Sequence, residues 1–211
     1  MGGCDKIRGV VRANLEIDLL REQSRYTMFE ASGAGIDHLI IVATHLPDRR
    51  SDSDSGVRHE VIRDIVADIQ RCESERNPAG TVVIGDFNAN PYDRELVAPD
   101  AFNAVLFKDI IRQNKSRTWN CKERSYLYNP VIDRLSEEGK MYGSYYYAKS
   151  SCSPYWNCFD QALVSRSLVD YIGEFRYLRE IGGTSLMSEV RPSTKISDHL
   201  PLFVSIEGGR A

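Results

Sequence analysis

Residues 81–91 constrain the fold and the function of this chain more than any other segment. They read Thr-Val-Val-Ile-Gly-Asp-Phe-Asn-Ala-Asn-Pro. Four β-prone residues predict a buried strand that stops at Gly85. Side chains alternate in an extended segment, so Asp86 and Asn88 are expected on one side and Phe87 on the other. A carboxylate and a carboxamide at a strand end suit a site that positions water or a hard cation, although these residue types also favour a plain turn.

The segments before this strand predict a crossover unit. Strand patterns at residues 25–30 and 37–45 are joined by a Gly-rich turn and indicate a hairpin. Apolar residues then recur at helical spacing from Val57 to about Arg71, which predicts a helix that leads back to the 81–85 strand. Strand, helix and strand in that order are typical of an α/β chain.

The rest of the chain carries weaker patterns. We expect residues 1–24 to be poorly structured or a remnant, although Leu15 to Leu20 could form a strand edge or a short helix. Residues 25–211 are expected to form one domain, which is incomplete. Helices are predicted over 102–111, 130–138 and 166–172, and strands over 156–165, 174–179 and 200–206.

Composition excludes several classes of protein. The formal net charge of −3 gives no global attraction to nucleic acid or anionic lipid. The apolar runs are too short to span a bilayer, and no signal peptide is seen. The five cysteines, Cys4, Cys72, Cys121, Cys152 and Cys158, show no C-x-x-C spacing. This favours reduced thiols and a cytoplasmic location, while a Cys152–Cys158 disulfide is the alternative for an exported protein.

Four polar clusters lie within or beside predicted strands. They are His45, Asp86 with Asn88, Asp160, and Asp198 with His199. Each has a plain explanation, such as a strand cap, a turn, or a carboxylate that accepts backbone hydrogen bonds. However, sites in α/β proteins form where strand ends converge, and a buried Asp needs a partner, for which a His is the natural choice. We therefore expect the four clusters to form one site.

The motifs resemble those of the endonuclease/exonuclease/phosphatase superfamily, which includes DNase I-like nucleases, abasic-site endonucleases, inositol polyphosphate phosphatases and neutral sphingomyelinases. They are Thr44-His45-Leu46, Gly85-Asp86-Phe87-Asn88, Phe159-Asp160-Gln161, and Ser197-Asp198-His199-Leu200-Pro201-Leu202, in order over about residues 25–206. The resemblance implies a four-layer α/β sandwich, with two mostly antiparallel sheets packed face to face and helices outside. It also implies hydrolysis of a phosphoester by in-line attack of water, assisted by Mg²⁺ or Mn²⁺.

The resemblance also implies a role for each site residue. Asp86 and Asn88 would orient or activate the water and contact the phosphoryl oxygens. His199, paired with Asp160, would act as a base or stabilise the phosphate. Asp198 would contribute to the metal site, and His45 would contact the scissile phosphate or assist the leaving group.

The sequence departs from the family pattern at its start. Family members begin with a strand carrying an Asn and a second strand ending in a Glu, the principal metal ligand, and neither motif is present here. Glu16, Glu22 and Glu30 do not stand in the matching context. We therefore expect the N-terminal strands to be missing, as in a fragment, a truncated product or a chain completed by a partner. Such a chain alone is expected to bind Mg²⁺ weakly and to turn over slowly or not at all.

The substrate class stays open at this point. A phosphodiester, with nucleic acid as one candidate, is the first hypothesis. The others are a small or lipid-linked phosphate and a non-catalytic interaction or assembly domain. A basic stretch with Trp119 could contact a nucleic-acid backbone or form a solvated face; its cations are Arg112, Lys115, Arg117, Lys122 and Arg124. Tyr142 and Tyr145 to Tyr147 could stack on bases or pack a sheet.

Overall fold

A computed structural model describes residues 14–33, 36–48, 56–136, 143–149 and 155–207. In chain order its elements are β1 (Glu16–Glu22), β2 (Tyr26–Gly33), β3 (Ile36–His45), α1 (Gly56–Arg76), β4 (Gly80–Asp86), α2 (Arg94–Val97), β5 (Ala104–Val105), α3 (Lys108–Gln113), β6 (Ser116–Trp119), β7 (Lys122–Ser125), β8 (Leu127–Tyr128), α4 (Val131–Ser136), β9 (Tyr145–Tyr146), β10 (Trp156–Asn157), β11 (Asp160–Ser165), a 3₁₀ helix (Arg166–Tyr171), β12 (Ile172–Tyr177), β13 (Glu180–Ile181), β14 (Thr184–Ser185), β15 (Met187–Ser188), β16 (Arg191–Pro192) and β17 (Leu202–Ile206).

The main sheet has seven strands in the order β1-β2-β3-β4-β11-β8-β5. The β3–β4 and β5–β8 pairs are parallel, and the other neighbours are antiparallel. The predicted hairpin is therefore confirmed as β2 and β3, and α1 is the predicted crossover between β3 and β4. Because β3 and β4 are parallel, their carboxyl ends lie at the same edge of the sheet.

Helix α1 covers one face of this sheet. Its apolar residues recur every three or four positions, so Ile62, Ile65 and Ile69 lie on one side of the helix. They pack in one cluster with sheet residues that include Met28 and Val83. The helix extends five residues beyond the predicted end at Arg71.

A second sheet packs on the opposite face. In the described part of the chain it consists of β12 and β17, which pair in antiparallel fashion. Phe175 and Tyr177 of β12 share a buried cluster with Ala162 of β11. The predicted α/β sandwich, with two sheets face to face, a mostly antiparallel main sheet and helices outside, is confirmed.

The N-terminal segment is more ordered than its weak pattern predicts. Residues 16–22 lie in the segment expected to be poorly structured but form β1 at the edge of the main sheet, which agrees with the strand-edge alternative for Leu15 to Leu20. The β2 backbone gives this weakly patterned segment its hydrogen-bond partners, and Leu20 packs against the core. Residues 1–13 lie outside the described residues.

The helix predicted over 102–111 is also wrong. The structure has β5 and then α3, which begins at Lys108. Asn103 takes a left-handed backbone conformation with φ of 54° and its Nδ2 donates to the carbonyls of Arg124 and Ser125, both at 2.9 Å. These long-range bonds fix a turn that local periodicity cannot reveal.

The strand predicted over 156–165 is divided in two. Strand β10 pairs with β9, and β11 belongs to the main sheet. Between them, the Cys158 amide donates to Asn90 Oδ1 at 3.0 Å and the Phe159 carbonyl accepts from the Phe87 amide at 2.8 Å. These bonds to the segment after β4 redirect the chain.

The predictions for α4, the 3₁₀ helix, β12 and β17 are confirmed within a few residues, except that 137–138 lie outside the described residues. Among the described helices, none is both long and apolar enough to cross a membrane. Cys72, Cys121 and Cys158 are free thiols, whereas Cys4 and Cys152 lie outside the described residues, so the disulfide alternative stays untested.

Candidate active site at the carboxyl end of β4

The sheet register brings three of the predicted residues together. His45 of β3 pairs in register with Asp86 of β4, and Asp160 of β11 pairs with the same residue from the other side. His45 Nε2 lies 3.6 Å from Asp86 Oδ2. The site therefore lies where two parallel strands end and an antiparallel strand begins.

His199 reaches the same place from the loop before β17. Its Nδ1 lies 2.7 Å from Asp160 Oδ2, and ligand atoms of Asp86, Asp160 and His199 all lie within 4.8 Å of one another. Backbone contacts hold the loop, since the Leu200 amide donates to the Ser144 carbonyl at 2.8 Å and Tyr145 forms a β-bridge with His199. The predicted His–Asp pairing is present.

The segment after β4 has the predicted alternation. Phe87 is fully buried and meets Phe102 edge to face, with the ring centres 5.4 Å apart. Asn88 lies on the other side with Asp86, whose Oδ1 accepts from the Asn88 amide at 2.8 Å. Asn88 Nδ2 donates to the Leu46 carbonyl at 2.9 Å, and Asn88 has a left-handed φ of 48°. The segment is thus a tight turn and part of the polar cluster at once.

The charges of the site perturb each other. Burial, and then the nearby charge of Asp160, raises the pKa of Asp86 above its usual range, against the opposing effects of the Asn88 amide and the two histidines. Burial alone would lower the pKa of His199. The hydrogen bond that His199 donates to Asp160, and the charges of Asp160, Asp86 and Asp198, outweigh burial, so this pKa is raised. The site therefore favours a protonated imidazole beside two carboxylates that repel each other.

Asp198 occupies a different position from the other predicted residues. It is exposed and is not in the group of three side chains within 4.8 Å, although its charge acts on His199. His45 is at the rim of the site, with 57% of its side chain exposed. The roles assigned to both residues remain predictions.

Three further residues support the site, and two of them, Ser144 and Tyr177, were not singled out from the sequence. Ser144 Oγ accepts from the Asp160 amide at 3.0 Å, and the Tyr177 hydroxyl donates to the Asp160 carbonyl at 2.8 Å. The Tyr145 ring lies 4.8 Å from the His199 ring. The tyrosine-rich stretch was a signal for Tyr145, whereas long-range hydrogen bonds leave no local pattern.

Buried amides hold the two strand ends beneath the site. Gln161 Nε2 donates to the Ala89 carbonyl at 2.6 Å, and Gln161 Oε1 accepts from Asn129 Nδ2 at 2.6 Å. Asn90 Nδ2 donates to Asn157 Oδ1 at 3.0 Å. The Gln of the Phe-Asp-Gln motif therefore ties β11 to the segment that carries Asn88.

The donor set suits a divalent cation. Two carboxylates in one partly buried cluster repel each other, and a cation between them would relieve that repulsion. Among the described residues, the three side chains of Asp86, Asp160 and His199 lie close enough together to bind one metal ion. Glu30 is not part of this group, and its carboxylate pairs with Arg76 Nη1 at 2.7 Å.

Comparison with known proteins gives matches among solved structures. No family model and no curated protein matches this sequence. TDP2 from Caenorhabditis elegans superposes with a TM-score of 0.50 at 15% identity, over 90% of this chain and 49% of that chain. Truncated C. elegans TDP2 gives 0.49 at 14% identity over 90% and 64%. AP endonuclease LMAP from Leishmania major gives 0.49 at 13% identity over 86% and 54%.

These solved proteins belong to the endonuclease/exonuclease/phosphatase superfamily. The chain spans 64% or less of the length of each of the three. At such low identities the likeness concerns the fold alone. The superposition on C. elegans TDP2, at a TM-score of 0.50, agrees with the sandwich fold that the sequence motifs indicated.

Proposed function

We propose that this chain is a metal-dependent phosphoesterase that hydrolyses a phosphodiester by in-line attack of water. The observation that carries the proposal is the cluster of Asp86, Asp160 and His199 within 4.8 Å at the end of β4. Phosphoryl transfer needs mainly positioning and neutralisation of charge, and this cluster offers both acceptors for a water and a cationic imidazole.

Asp86 is proposed to orient the attacking water through its carboxylate. Burial and the charge of Asp160 raise its pKa in the absence of a cation, and a bound cation would oppose this rise. Asn88 fixes this carboxylate, since its amide donates to Oδ1 at 2.8 Å and its Nδ2 lies 3.3 Å from Oδ2. Asn88 would also contact a phosphoryl oxygen.

His199 is the proposed donor to the phosphoryl group. Because Nδ1 contacts Asp160, Nε2 is the nitrogen left to face a substrate. The raised pKa keeps the imidazole cationic to higher pH, which suits stabilisation of negative charge on oxygen. His45 at the rim is proposed to contact the scissile phosphate or to assist the leaving group.

The residues proposed to hold Mg²⁺ or Mn²⁺ are Asp86 and Asp160, with exposed Asp198 as a further donor. A bound divalent cation would supply positive charge to the phosphoryl oxygens. Asp160 already contacts His199, and the raised pKa of His199 favours a cationic imidazole there, so we keep the expectation of weak metal binding and slow turnover.

The rings beside the site favour nucleic acid as the substrate. Tyr145 stacks on Tyr147 at 6.4 Å and on Phe159 at 5.5 Å, and Tyr146 stacks on exposed Tyr155 at 6.0 Å. Aromatic side chains near a phosphodiesterase site can stack on bases of a single strand. A small or lipid-linked phosphate and a non-catalytic role are the outcomes that the test must distinguish.

The test incubates the full chain with single-stranded DNA, RNA, an inositol phosphate and sphingomyelin, each with Mg²⁺, with Mn²⁺ and with EDTA. We expect slow hydrolysis of a nucleic acid that EDTA abolishes. Asp86→Asn and Asp160→Asn should each lower kcat by about 10²–10⁴-fold, the range typical of a lost acid or base. Asp64→Asn, the same change at an exposed position of α1, should leave kcat unchanged.

Three outcomes would contradict the proposal. Hydrolysis that survives Asp86→Asn would remove the site from the reaction. Hydrolysis of only the inositol phosphate or sphingomyelin would replace the substrate class. The third outcome is that no substrate is hydrolysed and that no saturable Mg²⁺ binding depends on Asp86 and Asp160. This outcome would support the hypothesis of a non-catalytic interaction or assembly domain.

A further inference from the structure

A cavity of about 600 Å³ opens at the end of the main sheet opposite the candidate active site. It lies between α1, the β6–β7 hairpin and the turn after β11, where the Thr81 amide donates to Ser165 Oγ at 2.9 Å. Asp86 is five residues further along β4. At about 3.3 Å per residue the two places are about 17 Å apart, so a small ligand in the cavity does not reach the site.

One wall of the cavity is apolar. Ile69 of α1, Phe102 and Leu127 line it and belong to the main hydrophobic cluster, and half-buried Tyr126 lines it as well. A cavity of this volume with an aliphatic and aromatic wall is typical of sites for small organic molecules.

The cavity is positively charged in a chain whose net charge is −3. Four cationic and two acidic side chains line it, namely Arg112, Lys115, Arg124, Arg166, Glu73 and Asp170. The acidic groups are already used, since Asp170 pairs with Arg112 and Glu73 Oε1 accepts from Thr81 Oγ1 at 2.6 Å. Arg166 donates to the carbonyls of Ile111 and Arg112.

Lys115 and Arg124 are left without an acidic partner among the described residues. Arg124 Nε is shielded from solvent and has no hydrogen-bond acceptor there, which is unfavourable for a donor. The β6–β7 register also sets Arg124 directly opposite Arg117, and like charges in that position repel each other. An anion in the cavity would supply the missing acceptor and reduce this repulsion.

We propose that this cavity, the Arg124 cavity, binds a small phosphate monoester carried on an aromatic or other planar body. Two unpaired cations match the two negative charges of a phosphate monoester, and a guanidinium and an ammonium are common phosphate-binding groups. The hydroxyls of Ser165 and Ser167, 3.0 Å apart, add polar contacts at the rim. Phe102, Tyr126 and Leu127 would receive the planar body.

This proposal accounts for part of the basic stretch in the sequence. Arg112, Lys115 and Arg124 line the cavity, whereas Lys122 is exposed on the hairpin and does not. Arg117 is bound to Asn103 Oδ1 and the Val97 carbonyl, both at 2.6 Å. The cations thus converge on a small volume and do not form one continuous track for a nucleic-acid backbone.

The test is calorimetric titration of the full chain in EDTA with adenosine 5′-monophosphate, phenyl phosphate, inorganic phosphate and adenosine. We expect both monoesters to bind. Inorganic phosphate and adenosine should each bind at least about tenfold more weakly, because each lacks one half of the recognised molecule. Lys115→Gln and Arg124→Gln should each raise the Kd of the monoesters about tenfold, and Arg124→Lys should raise it less.

Two control variants locate the binding. Lys122→Gln removes a cation from the same hairpin outside the cavity, and Asp86→Asn alters the candidate active site; neither should change the Kd. Circular dichroism checks that each variant is folded. If Arg124→Gln disrupts the β6–β7 hairpin, Lys115→Gln still tests the cavity, because Lys115 lies outside that hairpin.

Several results would overturn the proposal. One is no saturable binding of either monoester up to about millimolar concentration. Another is a Kd that changes with Asp86→Asn and not with Lys115→Gln or Arg124→Gln. A third is a single-stranded oligonucleotide that binds more tightly than the monoesters and loses equal affinity with Lys122→Gln, which would indicate a nucleic-acid surface.

Discussion

Gly85 is the residue on which the position of Asp86 depends most directly. Its φ is 148°, and a Cβ built on it would lie 1.9 Å from the Thr44 carbonyl oxygen of β3. Both features exclude a side chain, since an L-residue is strained at this φ and the neighbouring atom belongs to a rigid central strand. We expect Gly85→Ala to lower the free energy of unfolding by more than about 2 kcal/mol, as measured by urea denaturation.

Gly182 offers a control that separates backbone strain from steric overlap of the added Cβ. Gly182 has a positive φ of 57°, but a Cβ there would meet nothing within 4 Å. Gly182→Ala should therefore cost only the backbone strain, about 1 kcal/mol. Equal losses for the two variants would show that the close approach of β4 to β3 does not matter.

The same scale shows how far the candidate site was predictable. The residues that could be selected from the sequence lie within or beside a strong strand pattern; they are His45, Asp86, Asn88, Asp160 and His199. Ser144 and Tyr177 could not, since their bonds to the Asp160 backbone join segments 16 and 17 residues away. A polar residue beside a strand leaves a sequence signal, whereas a hydrogen-bond partner across a loop does not.

At the scale of elements, the segments with the strongest hydrophobic patterns were predicted correctly. Helix α1 and strand β4 were predictable because one repeats every 3.6 residues and the other is a continuous apolar run. The segment 102–111 is also apolar, but Asn103 bonds to the β6–β7 hairpin and breaks the helix. Short elements fixed by such contacts are determined by the tertiary structure.

A buried ion pair joins α1 to α2 and to the segment after β3. Arg58 is 1% exposed, its Nη1 donates to Glu95 Oε1 at 3.0 Å, and its Nε donates to the Pro47 carbonyl at 2.9 Å. Glu95→Gln keeps the shape but removes the charge that balances a buried guanidinium. We expect a loss of about 3 kcal/mol in the free energy of unfolding, measured by urea denaturation.

The neighbouring residue offers a matched control. Arg94 pairs with Asp100 at 3.3 Å, but 76% of its side chain is exposed. Arg94→Gln should change stability by less than about 1 kcal/mol, because exposed ion pairs contribute little. If Glu95→Gln also changes the free energy of unfolding by so little, the buried pair does not hold α1 against α2.

At the scale of the whole molecule, Asp68 connects the sheet to the helical layer. The Tyr26 hydroxyl of β2 donates to Asp68 Oδ2 at 2.6 Å, and this carboxylate also pairs with Arg21 of β1 and Arg71 of α1. Burial, and then the hydrogen bond and charge of Asp68, raise the pKa of Tyr26 above its usual value. The neutral phenol is therefore the form that stabilises the contact between the two layers.

Because of this raised pKa, the fold is expected to lose stability at alkaline pH. The folded protein holds the Tyr26 proton more tightly than the unfolded chain, whose phenol titrates near 10.0. The contribution of Tyr26 is thus complete below that pH and is lost as pH rises towards the folded pKa. Tyr26→Phe should lower the free energy of unfolding by about 2 kcal/mol near neutral pH. Above about pH 10 the free energies of unfolding of the variant and the wild type should become more alike. Urea denaturation across this range measures the difference, with Tyr92→Phe, 63% exposed, as the control that should show none. A difference that stays constant would mean that the Tyr26–Asp68 bond does not hold the sheet to α1.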